Sequence, residues 1–311
     1  MTRVPTAAAL LLFFAVTACD SDEGPGIVRS EVEPVELAPV YEVPRIGVVG
    51  DYGQLGPGLD AVAGLFAEIA PGTVVTLGDN VYPYFALDKA EAAVGRPFGE
   101  WIYNPGAPEP LRARGAAAAD STNRFFPAPG NHDYANDQLA DYLSYFDLPG
   151  NERYFAVEIG EVAFFILDTE AEALLEDQRA WLAEAAEASA ASYKVAVLHR
   201  PPFSSGLHGD HARFQWAFGD MGIDAVLAGH DHSYQRYRHD GVVYVVNGVG
   251  GASPREDCGR RVSAAEQLDV CLDGFYGGLF LEAHDDGLRA RMRSAADGYP
   301  VVDEWVIPAP E

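Results

Sequence analysis

The chain has 311 residues, with 47 acidic and 21 basic side chains and a formal net charge of −26 at pH 7. Hydrophobic residues make up 48% of it, enough for a large core, so whole-chain disorder is excluded. The acidic excess argues against a nucleic-acid ligand, which needs a basic face to displace counterions; it leaves phosphate chemistry open, because metal ions can supply local positive charge.

The first segment has Arg3 and then a small, apolar run from Ala7 to Ala18. That run is too short to cross a bilayer as a helix, and residues 1–18 read as a targeting signal. It ends in Val16-Thr17-Ala18-Cys19, which resembles a bacterial lipobox. The resemblance implies export and a lipid on Cys19 that holds the protein to a membrane, in the periplasm or at the cell surface. An ordinary secretory signal cut nearby is the competing reading. Residues 19–43 are acidic and punctuated by Pro25, Pro34 and Pro39, as expected of an extended tether. Residues 44–311 make one large domain.

Within that domain Ile46-Gly47-Val48-Val49 predicts a buried strand. Leu59 to Ala70 follows with helical spacing of Leu59, Val62, Leu65, Phe66 and Ile69, and Val74 to Leu77 predicts a second strand. This β-α-β order implies parallel pairing. Residues 83–124 predict helix and loop, and Asp137 to Phe146 a helix. Tyr154 to Leu167 predicts two strands around Gly160. Ala171 to Ala190 predicts a helix that buries Leu174, Leu175, Trp181 and Leu182. Val195 to Leu198 and Ala225 to Ala228 predict further strands, with Arg213 to Phe218 in a helix between them. Asp240-Gly241 and Asp286-Gly287 mark hairpin turns. Two mixed sheets follow, parallel at the centre and antiparallel outward, with helices outside. Three cysteines are too few for a Cys-rich zinc module; Cys258 and Cys271 flank a polar loop in an exported chain, which favours a disulfide over metal binding.

Polar clusters sit directly after the central strands: Asp51, Asp79, Asn131 with His132, His199, and His230 with His232. In open α/β sheets the site lies beyond the carboxyl ends of the strands. A convergence of carboxylate, amide and imidazole there suits first-row transition metals, whereas calcium and magnesium take oxygen alone. Any one cluster is weak evidence, since a Gly-Asp after a strand is often a turn. The signal lies in their conjunction and order.

The motifs Gly50-Asp51-Tyr52-Gly53, Gly78-Asp79-Asn80-Val81-Tyr82, Gly130-Asn131-His132-Asp133, Val197-Leu198-His199 and Gly229-His230-Asp231-His232 resemble the calcineurin-like metallophosphoesterase superfamily, and within it the purple acid phosphatases. The likeness covers roughly residues 45–295 and includes Leu167-Asp168-Thr169 and Tyr244 to Gly251. It implies a four-layer α-β-β-α sandwich of two mixed β-sheets. It implies a phosphomonoesterase that acts on a small phosphorylated substrate through a metal-bound hydroxide; a phosphodiesterase or nucleotide hydrolase is the alternative on the same scaffold, and a non-catalytic metal- or partner-binding lipoprotein the alternative of another class. Carried across by motif, Asp51, Asp79, Tyr82 and His232 would hold one metal, and Asp79, Asn131, His199 and His230 the second. A phenolate at Tyr82 favours Fe(III) there, with Fe(II), Zn(II) or Mn(II) at the second site. For leaving-group protonation or phosphate contact the resemblance offers His132, His208 and His211, with the choice between the last two open. Asp133 and Asp168 read as orienting residues. Arg200 stands where many relatives have another residue; contact with phosphate and with solvent both fit. Gly248 to Gly251 lacks a P-loop lysine and is given no nucleotide role.

Overall fold

A computed structural model describes residues 45–104, 106, 122–136, 139–256, 258–265 and 267–310. The signal and tether expectations, with Cys19, fall outside these residues. Among the described residues no helix is long and apolar enough to cross a membrane.

Strand β1 (Ile46–Val49) is buried along its whole length, as a continuous apolar run in a parallel pair should be. Helix α1 (Pro57–Ile69) starts with proline in its first turn, where the missing N–H costs no helical hydrogen bond. It buries Leu59, Val62, Leu65 and Phe66, each contributing about 1.5–3 kcal/mol by removal from water. It ends at Ala70, whose φ is 48°. Strand β2 (Thr73–Thr76) then pairs parallel to β1, Val48 opposite Val75.

Short helices α2 (Leu87–Ala90) and α3 (Arg96–Phe98) flank a π turn at Glu91–Gly95. After β3 (Phe125–Pro127), parallel to β2, come α4 (Asn131–Tyr134) and α5 (Ala140–Tyr145). Residues 137 and 138, the predicted start of that last helix, lie outside the described residues.

Strands β4 (Phe155–Ile159) and β5 (Val162–Ile166) form the hairpin around Gly160. Helix α6 (Leu175–Ala188) follows a single 3-10 turn at Glu172–Leu174. Its fully buried stripe is Gln178, Leu182 and Ala186, spaced by four; Leu174, Leu175 and Trp181 are only half-buried. Gln178 belongs inside because its amide pairs with both backbone groups of Asp168, at 2.7 and 2.9 Å.

Strands β6 (Tyr193–Val197) and β7 (Ala225–Ala228) run parallel. The predicted helix over Arg213 to Phe218 is absent. Two 3-10 turns, Ala212–Phe214 and Gly219–Met221, stand there instead. The aromatic residues of this stretch, Phe214, Trp216 and Phe218, repeat every second position, and Trp216 and Phe218 stack at 5.7 Å, an arrangement that a helix of 3.6 residues per turn cannot provide.

The remaining strands are β8 (Tyr234–His239), β9 (Val242–Asn247), β10 (Gln267–Leu272), β11 (Gly277–His284), β12 (Gly287–Ser294) and β13 (Val301–Pro308). Asp240-Gly241 forms a two-residue turn with both φ angles positive, 47° and 77°, the geometry that matches strand twist. At the second hairpin His284 pairs with Gly287, so Asp285 and Asp286 are the turn residues and Gly287 opens β12. Cys258 and Cys271 form a disulfide.

One sheet has the order β13-β12-β11-β1-β2-β3, the other β10-β8-β9-β7-β6-β5-β4. The second sheet is parallel at its centre and antiparallel at both edges. The first departs from that expectation: its parallel strands β1, β2 and β3 reach one edge and its antiparallel strands the other. Alternation along the second sheet divides two cores. Val195, Val197 and Leu227 face the core shared with the first sheet, while Ala196, Val226 and Ala228 face α6 with Leu182 and Ala186. Two mixed sheets flanked by helices result, and their parallel strands end together.

Candidate metal centre

Asp51 follows β1, Asp79 follows β2, Asn131 follows β3, His199 follows β6, and His230 and His232 follow β7. Three of these residues take left-handed backbone angles: φ is 54° at Asp51, 56° at Asp79 and 75° at His230. Each such angle costs up to about 1–3 kcal/mol for a residue other than glycine, and clusters of them mark functional sites. Here the angle turns each chain sharply off its strand end. Backbone bonds hold the turns, with the Asp51 amide donating to Gly78 O at 3.1 Å and the His230 amide to the Asp51 carboxylate at 2.8 Å.

All seven predicted ligand residues come together. In one cluster the Tyr82 hydroxyl lies 2.9 Å from Asp79 Oδ2, 3.1 Å from Asp51 Oδ1 and 3.4 Å from His232 Nε2, and His232 Nε2 lies 3.5 Å from Asp51 Oδ1. In the other, His199 Nε2 lies 3.4 Å from Asp79 Oδ1, 3.1 Å from Asn131 Oδ1 and 3.2 Å from His230 Nδ1. Asp79 thus turns one oxygen to each cluster. Asp51, Asp79 and His199 by themselves place ligand atoms within 4.8 Å of one another.

The outer nitrogens fix the rings. His199 Nδ1 donates to Leu77 O at 2.8 Å and His232 Nδ1 to Ser253 O at 3.0 Å, so each Nε2 directs a lone pair inward. Lone pairs on imidazole nitrogen, carboxylate and amide oxygen therefore face each other, an arrangement that needs a proton or a cation between them. The donor set of carboxylate, phenol, amide and imidazole fits two first-row transition ions. Glycines make the approach possible: a Cβ on Gly130 would lie 2.4 Å from Asp79, and one on Gly229 2.4 Å from Asp51.

The titration directions agree. Burial pushes the Asp51 carboxyl up, but the hydrogen bond from His232 and the charges of His199 and His232 bring it below its ordinary value. Burial lowers His199, and Asp79 and Asp51 more than reverse that, so it is raised; His232 is raised by Asp51 in the same way. Burial and the flanking carboxylates hold the Tyr82 phenol far above its ordinary value. Cations in the centre would replace these protons, so metal binding and acid compete.

The three candidate proton donors sit on two sides. His132 packs against the Tyr82 ring at 4.3 Å, donates Nδ1–H to Pro83 O at 2.6 Å, and brings Nε2 to 3.9 Å from Asp79. His208 and His211 flank His230, with ring centres 4.2 and 5.3 Å away. Nε2 of His208 accepts from Arg255 at 3.1 Å. Burial and the charges of Arg200 and His208 bring His211 down to about 4. Arg200 is clamped by Glu170 through two bonds of 2.6 and 2.9 Å, and its Nη1 lies 3.2 Å from His230 Nε2.

Sequence reasoning passed over Asn80. Its side chain accepts from Tyr52 and Thr76 at 3.0 and 2.6 Å, and donates to Ala128 O and Asp133 at 2.9 and 2.8 Å, all out of contact with solvent. It ties together the ends of β1, β2 and β3 beneath the centre. Burial and the Asp79 charge push Asp133 up to about 8, against donors from Gly130 and Asn80. Asp168 acts one step further out: its carboxylate accepts from the amides of Glu170 and Ala171 at 3.0 and 3.2 Å, shaping the turn that carries Glu170.

The family model for calcineurin-like phosphoesterases matches residues 44–234. The chain belongs to that family. Metallophosphoesterases bind two metal ions, in accord with the paired clusters. Mouse "Acid phosphatase type 7" is 25% identical over 230 residues, which cover 63% of this chain and 48% of that protein. The chain thus spans about half the length of that curated relative. Among solved structures, "GAP50 the anchor in the inner membrane complex of Plasmodium" superposes with a TM-score of 0.63 at 16% identity, covering 86% of this chain and 89% of the other. "Structure of PhoD" gives 0.54 at 11% identity, covering 88% of this metallophosphoesterase and 71% of the other chain. At such identities these two likenesses speak to the fold.

Proposed function

We propose that this metallophosphoesterase is a phosphomonoesterase of the purple acid phosphatase type. Asp51, Asp79, Tyr82 and His232 hold Fe(III), and Asp79, Asn131, His199 and His230 hold Fe(II), Zn(II) or Mn(II). The observation that carries this reading is Asp79, with one oxygen toward Tyr82 and the other toward His199. Bound there, two ions supply Lewis acidity toward a phosphoryl oxygen and lower the pKa of a coordinated water.

The chain's own residues orient and exchange protons. A cation at His230 Nδ1 requires the ring proton on Nε2. Arg200, a donor only, then loses its acceptor there and keeps its other nitrogens on Glu170. One guanidinium nitrogen is freed for an anion beside the second cluster. His132 keeps Nε2 open, the Nε2 of His208 is taken by Arg255, and burial with the Arg200 charge brings His211 down to about 4, too low to carry a proton near neutral pH. We therefore assign proton transfer at the leaving oxygen to His132 Nε2.

The test is hydrolysis of p-nitrophenyl phosphate and of bis(p-nitrophenyl) phosphate by protein purified without chelator, beside Asn131→Ala. Preference for the monoester, lost together with the second metal in the variant, supports the reading. Preference for the diester, or full turnover by Asn131→Ala with two metals bound, overturns it. We also infer export and lipidation at Cys19, from the lipobox-like Val16-Thr17-Ala18-Cys19; an unmodified mature N-terminus beyond residue 19 in mass spectrometry removes that inference.

A further inference from the structure

The phosphomonoesterase reading leaves open what the alcohol half of the substrate carries, and a residue at the rim of the centre bears on this. Arg255 lies between β9 and β10, and its Nη1 donates to His208 Nε2 at 3.1 Å. His208 in turn lies over the His230 ring at 4.2 Å. Two residues before it, the Ser253 carbonyl accepts from His232 Nδ1, in the other cluster, at 3.0 Å. Arg255 therefore stands at the rim, with a near neighbour on each cluster.

Its surroundings hold it there. The Ser253 amide donates to Gln54 Oε1 at 2.9 Å, and the Ser253 carbonyl accepts from His232. Beyond Arg255, the Cys258–Cys271 disulfide closes the loop. The Arg261 amide donates to Ser205 O at 2.9 Å and its Nε to Leu207 O at 2.7 Å. The wall that presents Arg255 is thus built onto the segment that presents His208.

Arg200 and Arg255 differ in charge balance. Arg200 is neutralised by Glu170 through two hydrogen bonds. Arg255 has no ion-pair partner among the described residues; its described side-chain bond goes to an imidazole nitrogen of His208. A guanidinium that no described carboxylate neutralises, half-buried at the rim of the centre in a chain of charge −26, can receive an oxyanion, which its planar fork matches.

We propose that Arg255 binds a second oxyanion on the leaving alcohol, so that the preferred substrates are phosphomonoesters whose alcohol half carries a carboxylate or a further phosphate. The proposal rests on the phosphomonoesterase reading above.

Three substrates with the same primary leaving alcohol test it: propane-1,3-diol monophosphate, 3-(phosphonooxy)propanoate and propane-1,3-diol bisphosphate. Their distal groups are neutral, carboxylate and phosphate. The wild type is expected to favour at least one anionic member in kcat/KM. In Arg255→Ala the ratio of that kcat/KM to the neutral substrate's falls about tenfold or more, as loss of a charge-assisted hydrogen bond implies. The fall is mainly in KM, and Arg255→Lys keeps a good part of the ratio. The arm with the larger loss identifies the anion. Equal loss on all three substrates means that Arg255 only orients His208, and overturns the proposal, as does an unchanged ratio. A wild type that holds two metals yet hydrolyses none of the three brings down the phosphomonoesterase reading and this proposal with it.

Discussion

Asn80→Ala tests whether a buried amide organises the ligand-bearing strand ends. The substitution removes four side-chain hydrogen bonds, to Tyr52, Thr76, Ala128 and Asp133. Tyr52, Thr76 and Asp133 are fully buried, so water does not replace the amide freely. An unsatisfied buried polar group costs about 1–3 kcal/mol. The two hydroxyls can rotate toward other acceptors, whereas the Ala128 carbonyl loses its amide donor and the Asp133 oxygen keeps only the backbone amides of Gly130 and Asn80. The expected loss is about 2–6 kcal/mol, a large part of the roughly 5–15 kcal/mol typical of folded domains. Urea unfolding of chelator-treated protein at pH 7 measures it without the stabilisation that bound metal adds. Tyr52→Phe alone should cost about 1 kcal/mol and much less in the Asn80→Ala background, because the shared partner is gone. A loss below about 1 kcal/mol, or strict additivity of the two changes, refutes the network as the organiser of these loops.

Other outcomes follow from the same contacts. Tyr82→Phe keeps the ring on His132 and removes only the oxygen between Asp51 and Asp79; charge transfer from a Tyr82 phenolate to Fe(III) should give the iron-loaded wild type a visible band that the variant lacks, while far-ultraviolet circular dichroism stays unchanged. His132→Ala should slow an unactivated alkyl phosphate more than p-nitrophenyl phosphate, since only the poor leaving group needs the proton; equal slowing removes His132 from that role. Burial pushes Glu282 up, but Arg45 and Arg291 hold it below the ordinary carboxylate value. Its stabilisation is therefore full above the unfolded pKa of about 4.3 and lost as pH falls through the lower folded value. Glu282→Gln should be less stable than wild type at pH 7, with the gap in urea midpoint closing below about pH 4. Cys258→Ser with Cys271→Ser should cost about 3 kcal/mol by the loop-closure argument, read as a fall in Tm.

The seven ligand candidates were legible because each follows a strand or a Gly-Asp turn, and parallel strands end together whatever their distance in the chain. The β-α-β start and the Asp240-Gly241 turn were legible for a similar reason, since local periodicity and turn chemistry dictate them; the second hairpin turns one residue earlier than expected, at Asp285-Asp286. What stayed hidden depends on partners far away in sequence. Asn80 meets Ala128 and Asp133, and Arg255 meets His208 across 47 positions; no local pattern announces either. The failed helix at Arg213 to Phe218 shows the limit of spacing alone. Phe214 and Phe218 are four apart, as on a helix face, but Trp216 between them packs on the same aromatic group, and two short turns meet that need. The left-handed backbone at Asp51, Asp79 and His230 also escapes sequence reading, since none of the three is a glycine.

The most direct measurement is anomalous diffraction from crystals of protein prepared without chelator. Two peaks about 3.5–4 Å apart, with Asp79 between them, iron on the Tyr82 side and Asn131, His199 and His230 around the other, are the predicted result. A single ion, or ions bound elsewhere while these side chains hold one another through protons, would contradict the account.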